Sequence, residues 1–220
     1  MNIQPFQDFL TRIRENCGRI ILGKTETIDQ LAIALLAGGH VLLEDLPGTG
    51  KTMLLRAFAA SIGMDFKRIQ FTPDLLPSDL TGIYFYNQKN AEFEFRPGPL
   101  FAGVILADEI NRATPRSQSA LLEVMEEHQI SIDGVTHRMP EPYLVMATQN
   151  PIESYGTFPL PEAQMDRFLM QLSMGFMQRE DEIRVMSRED ARDLIASLVP
   201  VTDREEILQL QKDSRNVTVS

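Results

Sequence analysis

The chain carries one cysteine, Cys17, no tryptophan and only three histidines in 220 residues. A single thiol cannot close an internal disulfide, so the fold has to rest on its core, as expected in a reducing compartment. His40, His128 and His137 stand apart from one another, and with one cysteine they form no set at metal-site spacing. Basic residues are scarce as well: 21 Lys and Arg stand against 31 Asp and Glu, a formal net charge of −10. That balance argues against sequence-independent nucleic-acid binding, which relies on a basic surface. Long apolar runs are missing. The longest, residues 31–43, is interrupted by Gly38-Gly39-His40 and is too short to span a bilayer. Residues 1–14 lack the apolar core of a signal peptide. The expectation is a soluble, cytoplasmic protein with no membrane span.

What is present organises around residues 44–52, E-D-L-P-G-T-G-K-T. Before it stands the apolar run Val41-Leu42-Leu43, which reads as a short buried strand. After it, residues 53–62 read as a helix stopped by Gly63. Strand, glycine-containing loop and helix are the setting of a phosphate-binding loop. Gly48 and Gly50 allow the tight turn that aims several backbone N–H groups at one anion. The helix start adds its positive dipole end. Lys51 supplies a mobile charge for the β- and γ-phosphates, and the Thr52 hydroxyl is suited to ligate Mg²⁺. The strict pattern would have glycine at position 45, where this chain has Asp45. A carboxylate aimed at a triphosphate would be repulsive, so Asp45 is expected to point away.

Apolar residues at 43% and charged residues at 24% are ordinary for a globular protein, and the length suits one large domain or one domain plus part of another. Phe6, Phe9, Leu10 and Ile13 recur at helical spacing, with Cys17 closing the apolar face and Gly18 as the stop. Residues 26–37 form a second amphipathic pattern ended by Gly38. Residues 66–71, 103–107, 143–148 and 169–174 read as strands, and 83–96 and 130–138 as hairpins, the second turning at Asp133-Gly134. Residues 74–82 read as a connection punctuated by Pro77 and Gly82. Thr114 and Pro115 open a helix that runs to His128, a helix-end residue. Residues 161–168 read as a short helix. After about residue 178 strands cease and charge rises, and 202–205, T-D-R-E, reads as a capping box. Strands alternating with helices over 41–174 predict a parallel sheet covered on both faces.

A phosphate loop alone indicates a nucleotide. Asp108-Glu109, directly behind the strand at 104–107, adds hydrolysis. In an open parallel sheet the carboxyl ends of the strands line the ligand crevice, so this pair and the loop should face one site. Asp108 can hold Mg²⁺, directly or through water, and Glu109 can polarise an attacking water. Asn150 in A-T-Q-N-P, past another strand, is the candidate to reach the γ-phosphate or that water. Arg167 in L-P-E-A-Q-M-D-R-F either pairs with a neighbouring acid or stabilises transition-state charge at a neighbouring subunit's ATP.

The ordered set L-P-G-T-G-K-T, G-P-L-F (98–101), L-A-D-E-I-N-R-A (106–113), L-L-E-V-M-E-E (121–127), A-T-Q-N-P (147–151) and L-P-E-A-Q-M-D-R-F (160–168) resembles the MoxR family of AAA+ ATPases over roughly residues 15–215. The resemblance implies an α/β class, an AAA+ P-loop NTPase core with a five-stranded parallel sheet between helices, followed by a helical lid. It implies a core over 1–176 and the beginning of the lid over 177–220, incomplete and without the family's sensor 2 arginine. ATP and Mg²⁺ would bind between subunits of a ring, usually a hexamer. Pro47, Gly48, Thr49, Gly50, Lys51, Thr52 and Met53 would hold the nucleotide, with Lys51 and Thr52 as the Walker A pair. Asp108 and Glu109 would be the Walker B pair, with Thr52 and Asp108 as metal ligands. Asn150 matches sensor 1 and Arg167 the arginine finger, while Arg112 is a weaker candidate for the neighbouring site. Residues 20–23, with Ile21 and Gly23, fall where such proteins contact adenine. The two hairpins match the family's inserts, and the family implies a partner with a von Willebrand factor A domain and chaperone-like remodelling of client proteins. Two other readings stay open: a nucleotide-gated binding module without productive turnover, and a magnesium-chelatase-type or helicase-type motor subunit.

Overall fold

Alternating and continuous apolar runs build a five-stranded parallel sheet in the computed structural model, which describes residues 3–44, 48–150, 156–175, 177–186 and 191–216, without the side chains of 186 and 191–193. Its strands are β1 (Val41–Glu44), β2 (Phe66–Gln70), β5 (Val104–Asp108), β8 (Leu144–Gln149) and β9 (Met170–Leu172), in the order β2-β5-β8-β1-β9. Every neighbouring pair in this sheet is parallel. Two antiparallel hairpins stand outside it: β3 (Gly82–Asn87) with β4 (Glu92–Pro97), and β6 (Gln129–Ile132) with β7 (Val135–Arg138).

The period of two sorts each central strand onto two cores. Val41, Leu43, Val104, Leu106, Leu144 and Met146 face one side. Leu42, Ile105, Ala107, Val145 and Ala147 face the other. The first side is covered by α1 (Gln4–Gly18), α2 (Thr25–Ala37) and α3 (Lys51–Ser61) through Phe9, Ile13, Leu31, Leu35, Leu54 and Phe58. The second is covered by α5 (Pro115–Glu127) through Leu121, Leu122, Val124 and Met125. Each such side chain contributes about 1.5–3 kcal/mol on burial, so the two cores rather than any cross-link hold the fold. Cys17 lies in the first core beside Ser61, and burial pushes its thiol up to about 11.

The tail forms α7 (Arg179–Met186), α8 (Ala191–Ala196) and α9 (Arg204–Ser214). Ile207 and Leu210 of α9 are buried in the first core. Gln211 and Ser214 donate to the carbonyls of Leu35 and Leu36 at the end of α2, at 2.6 and 3.2 Å. Apolar packing therefore crosses residue 176.

Some local expectations change. The connection at 74–82 contains α4 (Pro77–Thr81), a one-turn helix begun by proline, with Asp79 accepting from the Leu76 N–H at 2.9 Å. Thr114 occupies the N-cap of α5, but its side chain makes no capping bond and lies 3.5 Å from the Ser117 hydroxyl. The cap of α9 is Asp203, one residue later than expected, because its carboxylate accepts from the Glu206 N–H at 2.8 Å. Glu206 in turn accepts from the Thr202 hydroxyl at 2.6 Å. The last strand is shorter than 169–174: β9 pairs with β1 only over Met170–Leu172.

Candidate functional site

The parallel register brings strand ends together. Gln70 of β2 is opposite Asp108 of β5, and Glu44 of β1 is opposite Gln149 of β8. Loops leaving these ends share one edge of the sheet. There a hollow of about 330 Å³ is lined by Gly48, Gly50, Lys51, Thr52, Met53, Arg68, Asp108, Glu109, Thr148 and Asn150. Residues expected separately from the phosphate loop, the Asp-Glu pair and the A-T-Q-N-P segment thus meet in one place.

The loop has the backbone an anion cradle needs. Gly48 and Gly50 both have φ of +87°, and a Cβ on either would meet nothing within 4 Å. Glycine supplies that conformation without strain, and the space above it is open. Gly50 is the N-cap of α3, so the helix starts at Lys51 with its first N–H groups toward the hollow. Asp45 and Pro47 lie outside the described residues, as does Pro151.

Asp108 ends a strand whose five residues are all buried. Its Oδ1 accepts from the Thr148 hydroxyl at 2.7 Å, and that hydroxyl accepts from the Glu109 N–H at 2.9 Å. Its Oδ2 faces Arg68, whose Nε and Nη2 donate at 3.0 and 2.5 Å. Glu109 has φ of +57°, a left-handed backbone that is strained for a side-chain-bearing residue and tends to persist where function holds it. Its Oε2 accepts from Gln70 Nε2 at 2.7 Å and lies 3.3 Å from Arg112 Nε. Arg112, a weak candidate for a neighbouring site, pairs here within its own chain.

The oxygen donors suit magnesium. The Thr52 hydroxyl and the Asp108 carboxylate line the same hollow, and hard oxygen ligands are what Mg²⁺ takes. Among the described residues no three His, Cys, Asp or Glu side chains converge as a metal cluster. A cation here would depend on one hydroxyl, one carboxylate, water and phosphate oxygens, the usual manner of nucleotide-borne Mg²⁺.

Some expected residues do not line this hollow. Thr49 is half-buried and is not among those lining the hollow; neither are Ile21 and Gly23. Ile21 packs against the first core, and a Cβ on Gly23 would fall 2.4 Å from Asp181 Oδ2 of α7. Arg167 follows α6 (Glu162–Met165) and pairs with Glu126 at 2.8 Å. It lines a different hollow of about 440 Å³, with Glu123, Glu126 and Glu127 of α5.

Three lining or supporting residues were not anticipated: Arg68, Gln70 and Thr148. A signal existed. Arg68 and Gln70 alternate on one face of β2 just before its carboxyl end, and a polar pair there is aimed at the crevice. Thr148 has no such mark, because it is a fully buried hydroxyl directly behind the apolar run Leu144–Ala147.

Comparison with known proteins fits this arrangement. The family described as "ATPase family associated with various cellular activities (AAA)" matches residues 40–170. YeaC of Bacillus subtilis, itself uncharacterised, is 54% identical over 97% of this chain and 67% of its own length. Chaperone MoxR1 of Mycobacterium tuberculosis is 51% identical over 77% of this chain and 45% of its own. A crystal structure of a candidate ATPase from Cytophaga hutchinsonii superposes with a TM-score of 0.88 at 40% identity, covering 99% of this chain and 67% of that one. The chain thus spans two thirds of some relatives and less than half of MoxR1. Among the described residues no helix is long and apolar enough to cross a membrane.

Proposed function

The chain belongs to the MoxR family of AAA+ ATPases, and from that premise we propose that it binds Mg-ATP in the hollow beside the Gly48–Thr52 loop and hydrolyses it with help from a second copy. The observation that carries this reading is the convergence of Lys51, Thr52, Asp108, Glu109 and Asn150 on one open hollow. Lys51 and the N–H groups at the start of α3 bind the phosphates. Thr52 and Asp108 are the residues that would hold magnesium, whose chemistry is to neutralise phosphate charge and polarise the γ-phosphoryl group. Gln70 and Arg112 approach Glu109 through Oε2. Oε1 is the oxygen assigned to take a proton from the attacking water. Asn150, buried just past the end of β8, orients that water or the γ-phosphate.

Arg167 lines a separate hollow in its own chain, which supports a role at the neighbour's nucleotide in a ring, a hexamer by family likeness. The work done by turnover is proposed to be chaperone-like remodelling of a client in the cytoplasm, with a von Willebrand factor A domain protein as partner. The name of MoxR1 supports the chaperone part. The hairpins β3–β4 and β6–β7, standing outside the main sheet, are the surfaces proposed to move with it.

Two substitutions test the site. Lys51→Ala should weaken nucleotide binding by about ten- to a hundredfold, the worth of a charge-assisted contact. Glu109→Gln should bind ATP within about threefold of wild type and release phosphate about 10² to 10⁴ times more slowly, the span of general-base catalysis. Phosphate release by Glu109→Gln at the wild-type rate would remove Glu109 from the reaction. Binding without turnover in the wild type would turn the reading into a nucleotide-gated switch.

A further inference from the structure

We propose that Arg68 is a built-in counter-cation of this site: it holds the Asp108 carboxylate in the absence of magnesium and is displaced from it when Mg-nucleotide loads. The inference rests on the Mg-ATP reading above and concerns a residue to which that reading gives no task.

Both oxygens of Asp108 are engaged. Oδ1 accepts from Thr148 at 2.7 Å, and Oδ2 accepts from Arg68 through Nε and Nη2 at 3.0 and 2.5 Å. Nη2 also donates to Gln70 Oε1 at 2.8 Å, which fixes the plane of the guanidinium. Arg68 fills both acceptor positions of Oδ2 while Thr148 takes one of Oδ1, so a cation that takes Oδ2, or that repels the guanidinium beside it, displaces Arg68. Thr148 cannot yield, because it is fully buried in β8 and its hydroxyl also receives the Glu109 N–H. Arg68 can. It sits on an edge strand, its side chain is 46% exposed, and its long stem can swing into water.

The charge balance supplies the reason for such a residue. The Asp108 side chain is only 11% exposed, and a largely buried carboxylate is costly without an opposite charge. Arg68 provides that charge when no metal is present, so the site does not stand open as an uncompensated anion. Magnesium loading is then an exchange of one cation for another. The guanidinium released lies at the mouth of the hollow that holds Lys51. Without either cation, the Asp108 charge would stand beside the bound phosphates and repel them. Metal and nucleotide binding thereby become coupled through one side chain, and the coupling is reciprocal.

The readout is the ratio of nucleotide dissociation constants in EDTA and in saturating Mg²⁺. It is measured by fluorescence anisotropy of a non-hydrolysable ATP analogue on the full chain. Arg68→Ala should raise this ratio by about three- to tenfold, the scale of a half-exposed ion pair. In EDTA the variant leaves the Asp108 charge uncompensated beside the phosphates, while in Mg²⁺ the metal no longer has to displace Arg68. Arg68→Met, which keeps the apolar stem, should behave alike and guards against an effect of lost packing. In an Asp108→Asn background the same Arg68 substitutions should leave the ratio unmoved. A ratio in Arg68→Ala equal to or below that of wild type overturns the exchange, as does an equal rise in the Asp108→Asn background. A wild-type chain that binds no nucleotide at any Mg²⁺ concentration overturns the Mg-ATP reading itself, and the role of Arg68 with it.

Discussion

His40 shows how a single residue can set a property of the whole fold. It is 3% exposed just before β1, with its ring near those of His128 and Tyr143. Nδ1 accepts from the Val145 N–H at 3.2 Å, which assigns the proton to Nε2, 3.1 Å from the Met125 carbonyl. Burial lowers its pKa from 6.5 to about 4; the Met125 carbonyl opposes the shift and His128 adds to it. The unfolded chain therefore takes up a proton near pH 6.5 that the folded chain refuses until about pH 4. Unfolding thus gains protons as pH falls through that window, and stability falls with it. Chemical denaturation at pH 7 and pH 4.5 should show a loss of about 2 kcal/mol from this group, and His40→Gln should flatten that slope even if its baseline is lower. An unchanged slope in His40→Gln would place the pH dependence elsewhere. None of this was legible in the sequence, where His40 is an isolated residue after two glycines. Its partners, Met125 and Val145, are distant in the chain. Lys51, Thr52, Asp108, Glu109 and Asn150 were legible because each ends or follows a strand with a recognisable local pattern. Arg68 and Thr148 matter only through contacts across the sheet.

At the scale of elements, legibility followed the strength of the local signal. The sheet strands read clearly because their apolar runs are dictated by burial on both faces. The hairpins read clearly from β-prone runs flanking turn residues. The one-turn α4 was missed because five residues carry no periodicity, only a proline and a well-placed Asp79. The shortness of β9 was missed because an edge strand's length depends on its single partner, β1. The root of the β3–β4 hairpin makes a sharp demand. Gly82 has φ +95° and ψ 178°, and a Cβ there would lie 2.2 Å from the Arg96 carbonyl oxygen and 2.6 Å from the Gly98 nitrogen. Backbone cannot move aside as a side chain can. Gly82→Ala should destabilise the fold by about 2–4 kcal/mol, read as a lower denaturant midpoint, because strain and clash add. A midpoint within error of wild type would mean the hairpin can be re-rooted at little cost.

At the scale of the molecule, the phosphate loop, the Asp-Glu pair and Asn150 share one hollow, whereas Arg167 lines another and pairs with Glu126. Within one chain the proposed site lacks its finger, so its turnover requires a neighbour. Such an arrangement is not legible from a sequence read one chain at a time, except through family likeness, because it depends on how copies meet. Mixing two inactive variants tests it most directly. Arg167→Ala lacks the finger but keeps Glu109; Glu109→Gln lacks the base but keeps the finger. Each alone should release phosphate at a small fraction of the wild-type rate, given the roughly 10³- to 10⁵-fold worth of such an arginine. Mixed in equal amounts, they should regain a substantial part of wild-type activity, since an Arg167→Ala site beside a Glu109→Gln neighbour has every group it needs. A mixture no more active than its two components, when wild type alone is active, would contradict a site shared between chains.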